Sequence, residues 1–245
     1  MGEVVEKAIG KAQAAKKTVV TGATGHAPDT IEAHLPIAKV KEVLRMAVER
    51  MVPTLLPTLA DRRSLEIGDG VGRYAPRLKE HGSRLVIAAE IGAGDAEIIP
   101  DAVGRVFLVR TALHRLPFED QLFDFAVANL LTPYQGDVAR ALKEIGRVLA
   151  PGASLIITDF HPFGSYARRG TARVRPTESA FRGLGDYYKV ARLAGLRITD
   201  VRESFLDETV RAAFVTPEEK QAYRALRDTP LVLCVLAKKS AEVGA

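Results

Sequence analysis

Three glycines stand at alternate positions in Ser64-Leu65-Glu66-Ile67-Gly68-Asp69-Gly70-Val71-Gly72-Arg73-Tyr74, after an apolar run and before a stretch of helical pattern. Glycines so placed permit a tight turn and let main chain approach a ligand with no Cβ between them. In dinucleotide enzymes a related loop is spaced G-x-G-x-x-G and holds a pyrophosphate on a helix N-terminus. Here the spacing is G-x-G-x-G, and Glu66 stands two residues before the first glycine. A carboxylate there is a poor neighbour for phosphate; it suits a ligand carrying an ammonium or sulfonium charge. Glu90 ends the next apolar run, twenty residues after Gly70. A carboxylate at that strand tip accepts both hydroxyls of a ribose. Strand, glycine loop, helix, strand and acid in this order point to a nucleoside site.

Other side chains invite a catalytic reading. His161, in Asp159-Phe160-His161-Pro162, follows a strand-like run. A histidine there can take a proton from a hydroxyl, thiol or amine, or it can simply border the pocket. Tyr134 orients a substrate or packs; Asp159 faces a substrate or caps a turn; His26 and His34 lie in the N-terminal segment. Five scattered histidines and one cysteine offer no metal-ligand spacing, so no metal site is expected. No G-x-S-x-G elbow is present, which disfavours a serine hydrolase. Thr18-Val19-Val20-Thr21-Gly22-Ala23-Thr24-Gly25 imitates a nicotinamide-binding turn, yet Pro28 stands where the third glycine belongs and removes an N–H.

Elements must bring these residues together. Val40, Val43, Leu44, Ala47 and Met51 recur at helical spacing, and Pro53 and Pro57 interrupt that helix. Short apolar runs at 64–68, 84–90, 106–110, 123–128 and 153–158 read as strands. Val138, Leu142, Ile145 and Leu149 make one helix face, closed by Pro151-Gly152. A helix over 186–194, a strand over 197–205, helical character over 217–226 and a last strand over 231–238 follow. Near-continuous apolar strands separated by helices imply a parallel sheet covered on both faces.

Glu66-Ile67-Gly68-Asp69-Gly70-Val71-Gly72 resembles the first motif of class I S-adenosylmethionine-dependent methyltransferases, and Glu90 resembles their ribose-binding acid. Leu116-Pro117-Phe118 with Phe123-Asp124-Phe125-Ala126-Val127, and Arg147-Val148-Leu149-Ala150-Pro151-Gly152, are similar to segments of the ubiquinone-methyltransferase-like, type 11 branch. The likeness covers about 64–162. It implies an α/β fold: a Rossmann-like, seven-stranded mixed sheet with helices on both faces and an antiparallel last strand, plus an N-terminal helical lid. It also implies S-adenosyl-L-methionine as cofactor. The main chain of Gly68, Asp69, Gly70 and Gly72 would hold the methionine part and Glu90 the ribose. Ala112 and Leu113 would flank the adenine, while Asn129 and Leu130 would approach the methyl-bearing end. Relatives often carry an aspartate where this chain has Ala112, so main-chain groups would have to read the adenine. Asn129-Leu130-Leu131-Thr132-Pro133-Tyr134 only loosely resembles the Asn-Pro-Pro-Tyr box of other methyltransferases, and base methylation is not assigned.

The 245 residues, 47% of them hydrophobic and 27% charged, suit one α/β domain over 59–245 with a helical segment over 1–58. The single Cys234 excludes an intramolecular disulfide framework, and no apolar run reaches the roughly 20 residues of a membrane span, so a soluble, cytoplasmic protein is expected. The net charge is +5, and Arg168, Arg169, Arg173, Arg175 and Arg182 share one stretch. That stretch is either a solvated loop or a positive rim for an anionic group. The expected activity is methyl transfer to a small molecule. The alternatives are a nucleic-acid or carrier-protein-bound substrate, or a cofactor-binding protein without turnover.

Overall fold

The computed structural model describes residues 37–68, 72–91, 97–99, 106–129, 138–161, 168–169, 172–173 and 184–241. Contact clustering divides the chain into Met1–Thr30 and Ile31–Ala245, and every described residue belongs to the second unit.

Helix α1 (Ile37–Met51) buries Val43, Leu44 and Ala47 of the stripe that its periodicity marked, and Val48 beside them. Pro53 sits at the head of the 3-10 turn Val52–Leu55 that follows. Then come β1 (Arg63–Gly68), α2 (Ala75–Glu80), β2 (Leu85–Ile91), β3 (Glu97–Ile99), β4 (Val106–Thr111) and β5 (Phe123–Asn129). The chain continues through α3 (Val138–Val148), β6 (Leu149–Phe160), β7 (Arg168–Arg169), β8 (Ala172–Arg173) and α4 (Leu184–Leu193). It ends with β9 (Leu196–Phe205), the 3-10 turn Glu208–Ala213, α5 (Pro217–Leu226) and β10 (Pro230–Lys239). A full capping box at Thr216 and Glu219 starts α5.

The main sheet runs β3-β4-β2-β1-β5-β6-β10-β9. β4, β2, β1, β5 and β6 are mutually parallel, and β10 lies antiparallel between β6 and β9. The seven expected strands are therefore present, and an eighth, β3, adds a short antiparallel edge to β4. Glu97-Ile98-Ile99 is too brief to show a period, so sequence could not announce it. A second correction concerns Pro151-Gly152. The helix ends earlier, at Val148, and β6 begins at Leu149, with an irregular register against β5 and a positive φ of 79° at Gly152. Positions 168–169 and 172–173 pair as a two-stranded ribbon beside α5.

Both sheet faces are covered. Phe125 and Val127 enter the core shared with α1, α2 and α5, whereas Phe123, Ala126 and Ala128 enter the core shared with α3 and α4. Two buried faces explain the unbroken apolar runs. Of the segment 1–58, the described helix α1 is integral to the first core. Lys39 reinforces it by donating to the Ala213 carbonyl at 2.6 Å and pairing with Glu42 and Glu219.

Arg147 joins two segments that sequence could only set side by side. Its guanidinium donates to the Leu116 carbonyl (3.0 Å), the Phe118 carbonyl (2.8 Å), Asp120 and Glu144, and Glu144 also accepts from the Leu116 N–H. The Leu116-Pro117-Phe118 turn is thus held against the end of α3. At Gly146 a side chain would run into the Ala194 carbonyl, so glycine here permits α3 to lie against the end of α4.

Candidate active site

Sheet register puts three of the expected binding residues in one row. Gly68 pairs with Glu90 on one side and with Asn129 on the other; Glu90 pairs in turn with Arg110, and Asn129 with Thr158. This row lies at the carboxyl ends of the parallel strands. It spans the point between β1 and β5 where the chain's crossovers change direction, the usual ligand crevice of such sheets.

The glycines do different work. A Cβ at Gly68 would stand 2.8 Å from the Asn129 oxygen, so the first glycine lets two strands close on each other. Gly72 has φ +95°, and among the described residues nothing approaches within 4 Å of the place where its side chain would be. Its backbone conformation favours glycine and its open side is available to a ligand. Glu66 has a task the sequence reading did not foresee. It is buried, and its carboxylate accepts from the main-chain N–H of Arg73 (3.1 Å), Tyr74 (3.3 Å) and Ala75 (2.9 Å). Those N–H groups open α2, so Glu66 anchors the far end of the glycine bend. Burial raises its pKa, against the opposing pull of these donors.

Glu90 is half-buried at the tip of β2, and Arg110 places both Nε and Nη2 at 3.0 Å from its Oε2. Arg110 was not singled out from sequence. It stands two residues before Ala112, on an alternating strand, which is the signal that could have drawn attention to it. Ala112 bridges to Arg115 through a tight turn closed by Arg115 N–H to the Ala112 carbonyl at 3.0 Å, and Leu113 is buried beneath. Asn129 accepts from the Thr158 hydroxyl at 3.0 Å. Asp69, Gly70, Leu130, Tyr134, His26, His34 and the 18–25 turn lie outside the described residues.

His161 is buried just past β6, at the same sheet edge. Its Nε2 lies 2.7 Å from the Glu203 carboxylate on β9, and its N–H donates to the Leu231 carbonyl. A carboxylate on one ring nitrogen fixes the orientation and tautomer of the ring. Glu203 lies 42 residues away, and no local pattern links the two. Asp159 turns into the core instead, where it accepts a short hydrogen bond from the Tyr187 hydroxyl and another from the Phe160 N–H. Burial pushes its carboxyl up to about 6.

That shift has a measurable consequence. Below the ordinary carboxylate range Asp159 is protonated whether the chain is folded or not. Between about pH 4 and pH 6 only the folded chain keeps the proton, so stability falls as pH rises through that window, by on the order of 3 kcal/mol. Asp159→Asn should flatten this part of a urea-denaturation profile against pH. An unchanged slope would assign the effect to other groups.

Residues 65–157 match the family described as Methyltransferase domain. Residues 65–157 thus carry a methyltransferase domain, and the fold is that of the class I S-adenosylmethionine-dependent methyltransferases. It is 28% identical over 182 residues to a malonyl-acyl-carrier-protein O-methyltransferase of Halorhodospira halophila, covering 72% of this chain and 55% of that one. It is 30% identical over 180 residues to methyltransferase GfsG of Streptomyces halstedii, covering 65% and 64%. The chain thus spans between about half and two thirds of the length of these two relatives. A solved S-adenosylmethionine-dependent methyltransferase from Mesorhizobium loti shares the fold, with TM-score 0.58, 22% identity, and coverage of 80% and 99%.

The methyltransferase site fits its family's cofactor, S-adenosylmethionine. Gly68 shares its row with a strand-tip carboxylate, Glu66 lies buried two residues before it, and Gly72 is open on its side-chain face among the described residues. Among the described residues, no cluster of three His, Cys, Asp or Glu could hold a metal, and no helix is long and apolar enough to cross a membrane.

Proposed function

We propose that this chain transfers a methyl group from S-adenosylmethionine to an O, N, C or S atom of a small acceptor over the carboxyl edge of the sheet. The observation that carries the reading is the row Glu90–Gly68–Asn129 at the switch between β1 and β5. When bound, the cofactor supplies a methyl carbon activated by its sulfonium. The chain's own residues then position and exclude water, which is most of what such a displacement needs.

In this reading Glu90 accepts the ribose hydroxyls, and Arg110 holds its carboxylate in place. The main chain of the 68–72 bend holds the amino-acid part. The Ala112–Leu113 turn borders the adenine with main-chain groups in place of a carboxylate, and Asn129 and Leu130 flank the transferring end. His161, braced by Glu203, takes the proton of the acceptor, and Tyr134 orients it.

Two assays test this. Titration calorimetry with S-adenosylhomocysteine should show Glu90→Ala binding at least about tenfold more weakly, equivalent to ~1.4 kcal/mol, with an unchanged thermal melt. Unaltered affinity would remove Glu90 from the site. Transfer of a tritiated methyl group to a panel of small carboxylates, phenols and quinols should reveal turnover. Tight cofactor binding with no transfer to any acceptor would favour the non-catalytic alternative that Ala112 motivates.

A second reading has an acceptor tethered to a carrier protein, or a nucleic acid. The arginine ribbon β7–β8 beside α5, and a relative named for a carrier-protein-bound substrate, favour it. Turnover on such a substrate should fall steeply with salt, whereas a small neutral acceptor should show little dependence.

A further inference from the structure

We infer that the groove between α4 and the outer side of β9 docks an acidic, amphipathic helix of another protein. The groove has a volume near 760 Å³, and Tyr188, Leu193, Lys189, Arg192 and Arg197 line it, with no acid among its lining residues. Tyr188 is 55% and Leu193 81% exposed, and with Leu184 they put three of the six large exposed apolar side chains of the described residues on this one helix. Isolated exposed apolar groups are ordinary; several gathered on one helix beside a hollow mark an interaction site.

The charge pattern specifies the occupant. Lys189, Arg192 and Arg197 have no carboxylate partner among the described residues. Lys238 stands directly across from Arg197 in the β9–β10 register, and both are exposed. Like charges opposed on neighbouring strands are destabilising, and an incoming carboxylate relieves them. Along α4, Tyr188 and Arg192 share one i,i+4 stripe, while Lys189 and Leu193 share the adjacent one. Each stripe offers one apolar group and one cation. A helix laid along it meets both by presenting leucine-like and glutamate side chains at the same spacing.

Two other occupants fit less well. A phosphate backbone wants an unbroken track of cations, which Leu193 interrupts here, and Tyr188 alone among the described lining residues offers a base a stacking face. A second copy related by a two-fold axis would set these cations against themselves. Because α4 leads into the start of β9, the groove lies toward the amino-terminal sheet edge, opposite the Glu90–Gly68–Asn129 row. The partner therefore docks without covering the cofactor crevice, and its binding stands or falls independently of methyl transfer.

Fluorescence anisotropy of the full chain with a labelled helical peptide carrying Glu and Leu at i,i+4 tests the inference. Saturable binding is expected, weakening at least about fivefold when salt is raised from low to several hundred millimolar. Lys189→Glu combined with Arg192→Glu should weaken it at least about tenfold, and Leu193→Ser about threefold, with thermal melts like that of the parent. The inference is overturned if the double variant binds as well as the parent, or if a peptide with Lys in place of Glu binds equally. It is also overturned if an oligonucleotide competes at lower concentration than the peptide, or if sedimentation shows a self-association that the double variant abolishes.

Discussion

Replacing Glu66 by alanine is expected to lower S-adenosylhomocysteine affinity by at least about a hundredfold and to destabilise the fold by ~3 kcal/mol. The carboxylate is the acceptor for three successive main-chain N–H groups at the start of α2, two of them on buried residues. Each buried donor left without an acceptor costs about 1–3 kcal/mol, reduced where water can reach it, as at Arg73. The bend between Gly68 and Gly72 is then held only at its β1 end. The residues after Gly68 gain conformational freedom, which a ligand must remove on binding. Glu66→Gln should lose nearly as much, because its amide turns a donor toward one of those N–H groups. Calorimetry and thermal melting separate the two effects. A lowered melt with full affinity would make Glu66 a fold residue alone; full stability would contradict the anchoring role.

Arg147→Ala should destabilise the chain by about 2–3 kcal/mol in urea denaturation. The substitution leaves the Leu116 and Phe118 carbonyls without their donor and Glu144 without its cation. The side chain is 31% exposed, so solvent offsets part of the loss and holds the estimate at the lower end of what a severed buried pair costs. Its hydrogen bonds to Glu144 and then Asp120 hold its pKa well above the ordinary arginine value, against the opposing effect of burial, so the cation persists across all accessible pH. Arg147→Lys should recover only part, since one ammonium cannot span two carbonyls and a carboxylate as a planar guanidinium does. Because the freed turn carries the wall around Leu113, cofactor affinity should also drop several-fold. A variant as stable as the parent would show that the α3 end and this turn are held together by packing alone.

Much of the site was legible from short-range signals. The strand–glycine–helix passage at 64–74 and the acid at position 90 could be read because turn chemistry and strand periodicity act within a few residues. The arginine of the 147–152 segment was legible as a motif, but its partners, 27 to 31 residues back, were not. Gly68 was read as space for a ligand, and what the structure shows is that a side chain there would meet Asn129, a neighbour that exists only once β5 lies beside β1.

What the amino-acid order by itself determined is the set of elements, the fold class and the residues brought to the carboxyl edge. Each of these follows from preferences that a segment expresses with no knowledge of the rest of the chain. Which groups touch there was decided only by the tertiary structure. Glu90 meets Arg110 because β4 lies beside β2, His161 meets Glu203 across β10, and Asp159 meets Tyr187 because α4 packs on the sheet. Those contacts join residues 20 to 42 positions apart, and their geometry depends on how every intervening strand packs. No local pattern encodes that.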